Sequence, residues 1–311
     1  MKVLITSNSF GKFDGVPRQK MEALGWELIG NRYNHIMNED EMVKEVDGVD
    51  AIILGSDTVS EKVLKAAKDL KIISRYGVGI DNINLEVAKE MGIEVTITSN
   101  CNTQAVGDYT IGLMLATLRH ICNVDHHLKK NEWIKETGLD LTNKTVGVFG
   151  LGAIGKEVIK RLKGFNCTIL GYDQYIDETY CKSENITIKQ PNEIFKEADI
   201  ITLHIPGNKD GTHVISQKEL DMMSPSTVII NTARASLIDE DALINALKDK
   251  KIYGYGCDVF VDEPHINTEF QALNNVVLSP HNAAVSVEAI NKMSHKAVNN
   301  LIEYFSKNRK E

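Results

Sequence analysis

The sequence predicts an α/β protein of two doubly wound parallel-sheet domains, and three observations predict it. Short apolar runs alternate with helix-patterned segments along most of the 311 residues, as they do where helices cover both faces of a parallel sheet. A glycine-rich turn, Gly150-Leu-Gly-Ala-Ile-Gly155, follows one such run at mid-chain. Before it the alternation lapses: from Gln104 to about Lys130, residues Val106, Ile111, Met114, Leu115, Leu118, Ile121 and Leu128 recur at helical spacing.

In chain order, strands are expected at Val3-Leu-Ile-Thr6, Ala51-Ile-Ile-Leu54, Lys71-Ile-Ile-Ser74 and Glu94-Val-Thr-Ile97, with helices between them. These make a first α/β unit. The 104–130 stretch then reads as one long helix connecting two domains. A second unit starts at Thr145 and runs through Ile200-Ile-Thr-Leu203, Thr227-Val-Ile-Ile230 and Ile252-Tyr-Gly-Tyr255. A last helix, about 285–306, is placed to return to the first domain.

Apolar Val146-Gly-Val-Phe149 precedes the glycine turn, and helix-patterned Lys156-Glu-Val-Ile-Lys-Arg-Leu-Lys163 follows it. This is the context a dinucleotide-binding turn needs. One glycine permits the tight turn, one lets a pyrophosphate approach the backbone, and one lets the helix pack on the strand. The N-terminus of that helix offers free N–H groups to the phosphates. Asp173 ends the next apolar run, placed to accept the adenosine ribose hydroxyls and to repel a 2′-phosphate, so NAD is expected over NADP.

Composition narrows the class. A net charge of −8 argues against nucleic acid or anionic membrane as a partner. The hydrophobic fraction of 42% is that of a water-soluble globular protein, and no apolar run reaches membrane-spanning length. Met1-Lys-Val-Leu-Ile-Thr6 reads as a strand rather than a signal peptide, so a cytoplasmic protein is expected. Cys101, Cys122, Cys167, Cys181 and Cys257 are odd in number and lack ligand spacing, so reduced thiols and no metal are expected.

Three polar clusters follow apolar strands in the second half: Asn231-Thr-Ala-Arg234, Asp258-Val-Phe-Val-Asp-Glu263-Pro264, and Ser279-Pro-His281-Asn-Ala-Ala284. Strand ends are where open α/β sheets bind ligands. Arg234 suits a carboxylate and the adjacent carbonyl, His281 can pass a proton, and Glu263 can orient the imidazole. Singly, each has an ordinary explanation: a surface ion pair, a solvated loop acid, a core histidine. Together, after a nucleotide fold, they suit hydride transfer to a carbonyl.

At these residues, and at Ser74-Arg-Tyr-Gly-Val-Gly-Ile-Asp-Asn82, Ala105-Val-Gly-Asp-Tyr-Thr-Ile111, His204-Ile-Pro206 and Asp258-Val-Phe260, the sequence resembles the D-isomer-specific 2-hydroxyacid dehydrogenases, in their short phosphoglycerate dehydrogenase-like branch. The resemblance implies interconversion of a D-2-hydroxy acid and a 2-oxo acid, with Arg234, Glu263 and His281 catalytic. It implies cofactor contacts from Gly150, Gly152, Ala153, Ile154, Gly155, Asp173, His204, Pro206, Thr232, Ala233, Asp258 and Thr103. Adenine would lie near Ile205-Pro206, and Asp258 would contact the nicotinamide carboxamide. Val78 and Gly79 amides would help bind the substrate carboxylate. It further implies a Rossmann nucleotide domain, residues 101–284, a discontinuous flavodoxin-like substrate domain, residues 1–100 with 285–311, and a homodimer built by the nucleotide domain.

Departures from the pattern bear on substrate. Phosphoglycerate dehydrogenases usually carry an Arg-Ser pair after the third strand, where this chain reads Leu54-Gly-Ser-Asp-Thr58. A small 2-oxo acid is therefore expected, unless Lys12 or Arg18 supplies the charge for a phosphate. Thr98-Ser-Asn-Cys101 replaces the usual proline turn, and the chain is expected to lack appended regulatory domains. Two other readings compete. An NAD-sensing co-repressor can retain the triad; a formate enzyme typically has Gln in place of Glu263, whereas phosphite oxidation is compatible with the acid.

Overall fold

The computed structural model describes residues 1–208 and 210–307. The chain forms two compact units, Met1–Asn102 with Val285–Glu311, and Thr103–Ala284.

The first unit runs β1 (Lys2–Ile5), α1 (Val16–Ala23), β2 (Glu27–Gly30), α2 (Glu39–Glu45), β3 (Ala51–Leu54), α3 (Glu61–Ala66), β4 (Ile72–Arg75), α4 (Leu85–Glu90) and β5 (Glu94–Ile97). All five strands are parallel, in the order β2-β1-β3-β4-β5, which is the flavodoxin-like winding. Side-chain acceptors start the helices where the sequence offers them: Asn38 and Glu41 form a capping box on α2, and Ser60 caps α3. Every residue of β3 is buried, as a central strand covered on both faces requires. β2 was not expected from the sequence; its four residues are all at least partly exposed, so no apolar run marks it. The turn after β5 needs no proline, because Asn100 takes a left-handed φ of 60°.

The second unit runs α5 (Thr103–Leu118), α6 (Ile121–Lys129), β6 (Thr145–Phe149), α7 (Ala153–Leu162), β7 (Thr168–Tyr172), α8 (Glu178–Ser183), β8 (Ile186–Ile188), α9 (Pro191–Glu197), β9 (Ile200–Leu203), α10 (Gln217–Leu220), β10 (Val228–Asn231), α11 (Glu240–Lys248), β11 (Gly254–Cys257), α12 (Thr268–Gln271) and β12 (Val276–Leu278). Its seven strands are parallel, in the order β12-β11-β10-β9-β6-β7-β8. From β8 inward this is the Rossmann order with one strand added, and the winding reverses between β6 and β9. A final helix, α13 (Val287–Lys307), belongs to the first unit.

The single long helix expected over 104–130 is corrected to two. His120, at a left-handed φ of 53°, breaks it, and its ring bonds the Tyr253 hydroxyl at 2.7 Å. The Leu118 carbonyl is taken by the Leu139 amide at 2.8 Å. α5 buries Val106, Ile111, Met114 and Leu118, whereas no residue of α6 is buried. The strand expected at Ile252–Tyr255 begins two residues later, at Gly254.

Candidate active site

Because the second sheet is wholly parallel, the C-terminal ends of its strands share one edge, and the residues singled out in this unit after strands collect there. Gly150 follows β6 with a φ of 99°, and a Cβ on it would meet the His204 carbonyl oxygen at 2.5 Å. A methyl on Gly155 would fall within the Gly150 carbonyl. Both positions exclude any side chain, the first by turning tightly and the second by letting α7 close on β6. Gly152 differs: no atom lies within 4 Å of where its Cβ would be. The open space stands at the first turn of α7, whose N-cap makes no side-chain hydrogen bond. Uncapped N–H groups beside room for an anion fit the pyrophosphate of NAD.

Asp173, just past β7, accepts the Leu151 amide at 2.6 Å through one oxygen and the Tyr175 amide at 3.0 Å through the other. The acid thus braces the glycine turn, and its remaining lone pairs suit ribose hydroxyls. His204 ends β9. Its backbone N–H bonds the Phe149 carbonyl at 2.7 Å, and its Nε2 pairs with the Thr202 hydroxyl at 2.9 Å. Burial of the ring pushes its pKa down to about 3, and Nδ1 has no partner among the described residues. Pro206 lies two residues on.

Thr232, Ala233 and Arg234 form the turn after β10. Asn231 shapes it, accepting the Ala233 amide at 3.0 Å and donating to the Arg234 carbonyl at 2.9 Å. The Thr110 hydroxyl spends its proton on the Val106 carbonyl, so Thr232 donates to Thr110 across 3.2 Å. Thr103 begins α5.

Glu263 and His281 come together, with Oε2 and Nδ1 2.7 Å apart. Glu263 Oε1 accepts the Phe260 amide at 3.0 Å, which sets the carboxylate's direction. Burial pushes the Glu263 carboxyl up, but the hydrogen bond and charge of His281, the Phe260 amide and the charge of Arg234 outweigh it and hold the group below its ordinary 4.5. A carboxylate only accepts, so Nδ1 of His281 carries the hydrogen and Nε2 is the nitrogen left for chemistry. The ring is 47% exposed, enough for a substrate to reach it. Arg234 bonds the Ala233 carbonyl at 2.6 Å through Nη1.

Asp258 was assigned from the resemblance to the nicotinamide carboxamide. Its buried carboxylate accepts the Ser279 hydroxyl at 2.6 Å, the Asn282 amide at 2.7 Å and the Ala283 amide at 2.8 Å. It therefore holds the loop that carries His281, with one lone pair to spare. Sequence reasoning missed Leu151, Phe260, Ser279 and Tyr109. Each lies within a motif quoted from the sequence, but none was given a role. In the first unit, Val78 and Gly79 follow β4, and neither amide N–H has an acceptor among the described residues. Arg75 shapes their turn by bonding the carbonyls of Gly79 at 2.8 Å and Tyr76 at 2.6 Å.

Comparison with known proteins adds to this geometry. A family model described as D-isomer specific 2-hydroxyacid dehydrogenase, NAD binding domain, matches residues 111–283. A D-3-phosphoglycerate dehydrogenase of Methanocaldococcus jannaschii is 39% identical over 257 residues, 81% of this chain and 49% of that protein; the chain spans about half its length. A glyoxylate reductase of Pyrococcus horikoshii is 36% identical over 273 residues, 85% of this chain and 82% of that protein. The apo structure of D-lactate dehydrogenase from Escherichia coli superposes with a TM-score of 0.85 at 29% identity, covering 99% of this chain and 98% of that one.

Proposed function

Since the chain belongs to the D-isomer-specific 2-hydroxyacid dehydrogenase family and is an NAD-dependent dehydrogenase, we propose that its substrates are small, unphosphorylated 2-oxo acids such as glyoxylate and hydroxypyruvate. The observation that carries this reading is the end of β3. A Cβ on Gly55 would meet Ser7 Cβ and Thr6 Oγ1 at 3.2 Å and Asp57 Oδ2 at 3.3 Å. An acid rather than a base stands beside this glycine, and Asp57 is buried, holding the Met37 amide at 2.7 Å. Such a strand end disfavours a phosphate. Arg18 does not replace the missing cation, because its guanidinium lies over the Phe10 ring and bonds the Phe10 carbonyl at 3.3 Å. Lys12 is exposed over the Phe13 ring.

In the reduction we propose, Arg234 holds the substrate carboxylate. NADH, when bound, supplies the hydride. As the carbonyl carbon accepts it, the carbonyl oxygen takes the proton from Nε2 of His281, and the C=O becomes H–C–OH. Glu263 keeps the ring aligned and balances the imidazolium charge before transfer. Oxidation runs the same steps backward.

The test is the initial rate of NADH oxidation with glyoxylate, hydroxypyruvate, pyruvate and phosphohydroxypyruvate. We expect kcat/KM for glyoxylate or hydroxypyruvate to exceed that for phosphohydroxypyruvate about tenfold or more. A preference for the phosphorylated acid that disappears in Lys12→Ala would overturn the reading in favour of a phosphoglycerate dehydrogenase.

We also propose a homodimer formed by the nucleotide unit. Supporting it are α6 with no buried residue, and Ile121, Leu128, Trp133 and Ile134 all exposed, Trp133 at 83%. The five free thiols fit the reducing cytoplasm in which we place the protein.

A further inference from the structure

We propose that Tyr109, on α5, is a positioning residue that acts on His281 through Ser279 and Asp258. This rests on His281 being the proton donor of the reaction above. The Tyr109 hydroxyl lies 2.6 Å from Ser279 Oγ, and Ser279 Oγ lies 2.6 Å from Asp258 Oδ1. Chemistry fixes the direction of this chain. A carboxylate accepts only, so the single Ser279 proton goes to Asp258; the Tyr109 hydroxyl must then donate to Ser279. Donation at one end of such a chain strengthens the bond at the other, here the charge-assisted bond to Asp258.

The chain ends on the segment that carries the imidazole. Asp258 grips Ser279 on one side of His281 and the amides of Asn282 and Ala283 on the other. Between these grips His281 takes a left-handed φ of 52°, and its own N–H turns back to the Ser279 carbonyl at 3.0 Å. That backbone conformation is unfavourable for a non-glycine residue and persists where surrounding contacts impose it. Three bonds to one buried carboxylate impose it here, and Tyr109 anchors the serine among them to α5. The phenol ring packs against the core between α5 and the sheet, so the donor itself is held. None of this requires Tyr109 to touch substrate.

The test compares Tyr109→Phe, Ser279→Ala and the double variant. Tyr109→Phe should lower kcat about threefold to tenfold, the range of one hydrogen bond, with the NADH dissociation constant from fluorescence unchanged within about twofold. In the double variant kcat should equal that of Ser279→Ala alone, since the phenol acts only through the serine. Amide hydrogen exchange provides a readout independent of substrate identity: Tyr109→Phe should speed exchange at Asn282 and Ala283 and leave the β6–β7 ladder unchanged. Multiplying kcat losses, or a lowered Tm with unaltered kcat and unaltered exchange at Asn282, would overturn the proposal. Should no 2-oxo acid be reduced by the wild type, the functional reading fails, and the exchange experiment alone decides whether Tyr109 holds the loop.

Discussion

Glu263 and His204 make opposite use of burial. The Glu263 carboxyl sits below its ordinary pKa because the pairing outweighs desolvation. Its contribution to stability is complete above about pH 4.5 and is lost as pH falls through the folded value, so Glu263→Gln should flatten the acid limb of a stability profile below about pH 4.5. The same variant should lower kcat without abolishing it, whereas His281→Asn, which removes the proposed proton donor, should lower kcat about 10²–10⁴-fold. His204 is neutral when folded, with a pKa of about 3, and free to protonate at about 6.5 when unfolded. Its contribution is likewise full above pH 6.5 and lost towards pH 3, at up to about 1.4 kcal/mol per pH unit. Urea unfolding at pH 7 and pH 5 should find His204→Asn less acid-sensitive than wild type by up to about 2 kcal/mol; equal losses would refute this. The pairing of Glu263 with His281 was legible because such residues after apolar runs are conspicuous. Tyr109, Leu151 and Phe260 were not, because their roles consist of one hydroxyl or one amide aimed across the fold, which no spacing encodes.

The turn between β6 and α7 separates two kinds of glycine. Gly155→Ala should destabilise the second unit by several kcal/mol or prevent its folding, since a methyl cannot share space with the Gly150 carbonyl. Gly152→Ala should leave Tm within a few degrees of wild type, because nothing surrounds its Cβ position, yet weaken NADH binding measurably by fluorescence titration. Equal loss of stability in the two variants would mean that the space beside Gly152 is not open. Most strands of both sheets could be read from their four-residue apolar runs. β2 was hidden because Glu27-Leu-Ile-Gly30 is half-exposed and has only two apolar side chains in succession. The break at His120 was hidden because no glycine or proline marks it; a tertiary bond to Tyr253 holds it.

For the molecule as a whole, the exposed apolar side chains of α6 and the segment after it predict that sedimentation will find a dimer and that Trp133→Asp will shift it towards monomer. The intrinsic fluorescence of Trp133 should move to the red with that dissociation in wild type on dilution. Persistence of the dimer in each of Trp133→Asp, Ile134→Asp and Leu128→Asp would place the contact elsewhere. The order in which the chain is made adds a different consequence. The first unit's sheet is complete by residue 97, yet its covering helix α13 comes last, and Ser74, Tyr76 and Ile97 bond to α13 through Ala297, Ile290 and Asn300. A contact spanning 223 residues cannot form until the whole second unit has been synthesised. On the ribosome, therefore, the continuous second unit can close first while the earlier-made sheet waits with one face uncovered. The interval before α13 arrives is when this chain is most open to chaperones and to aggregation.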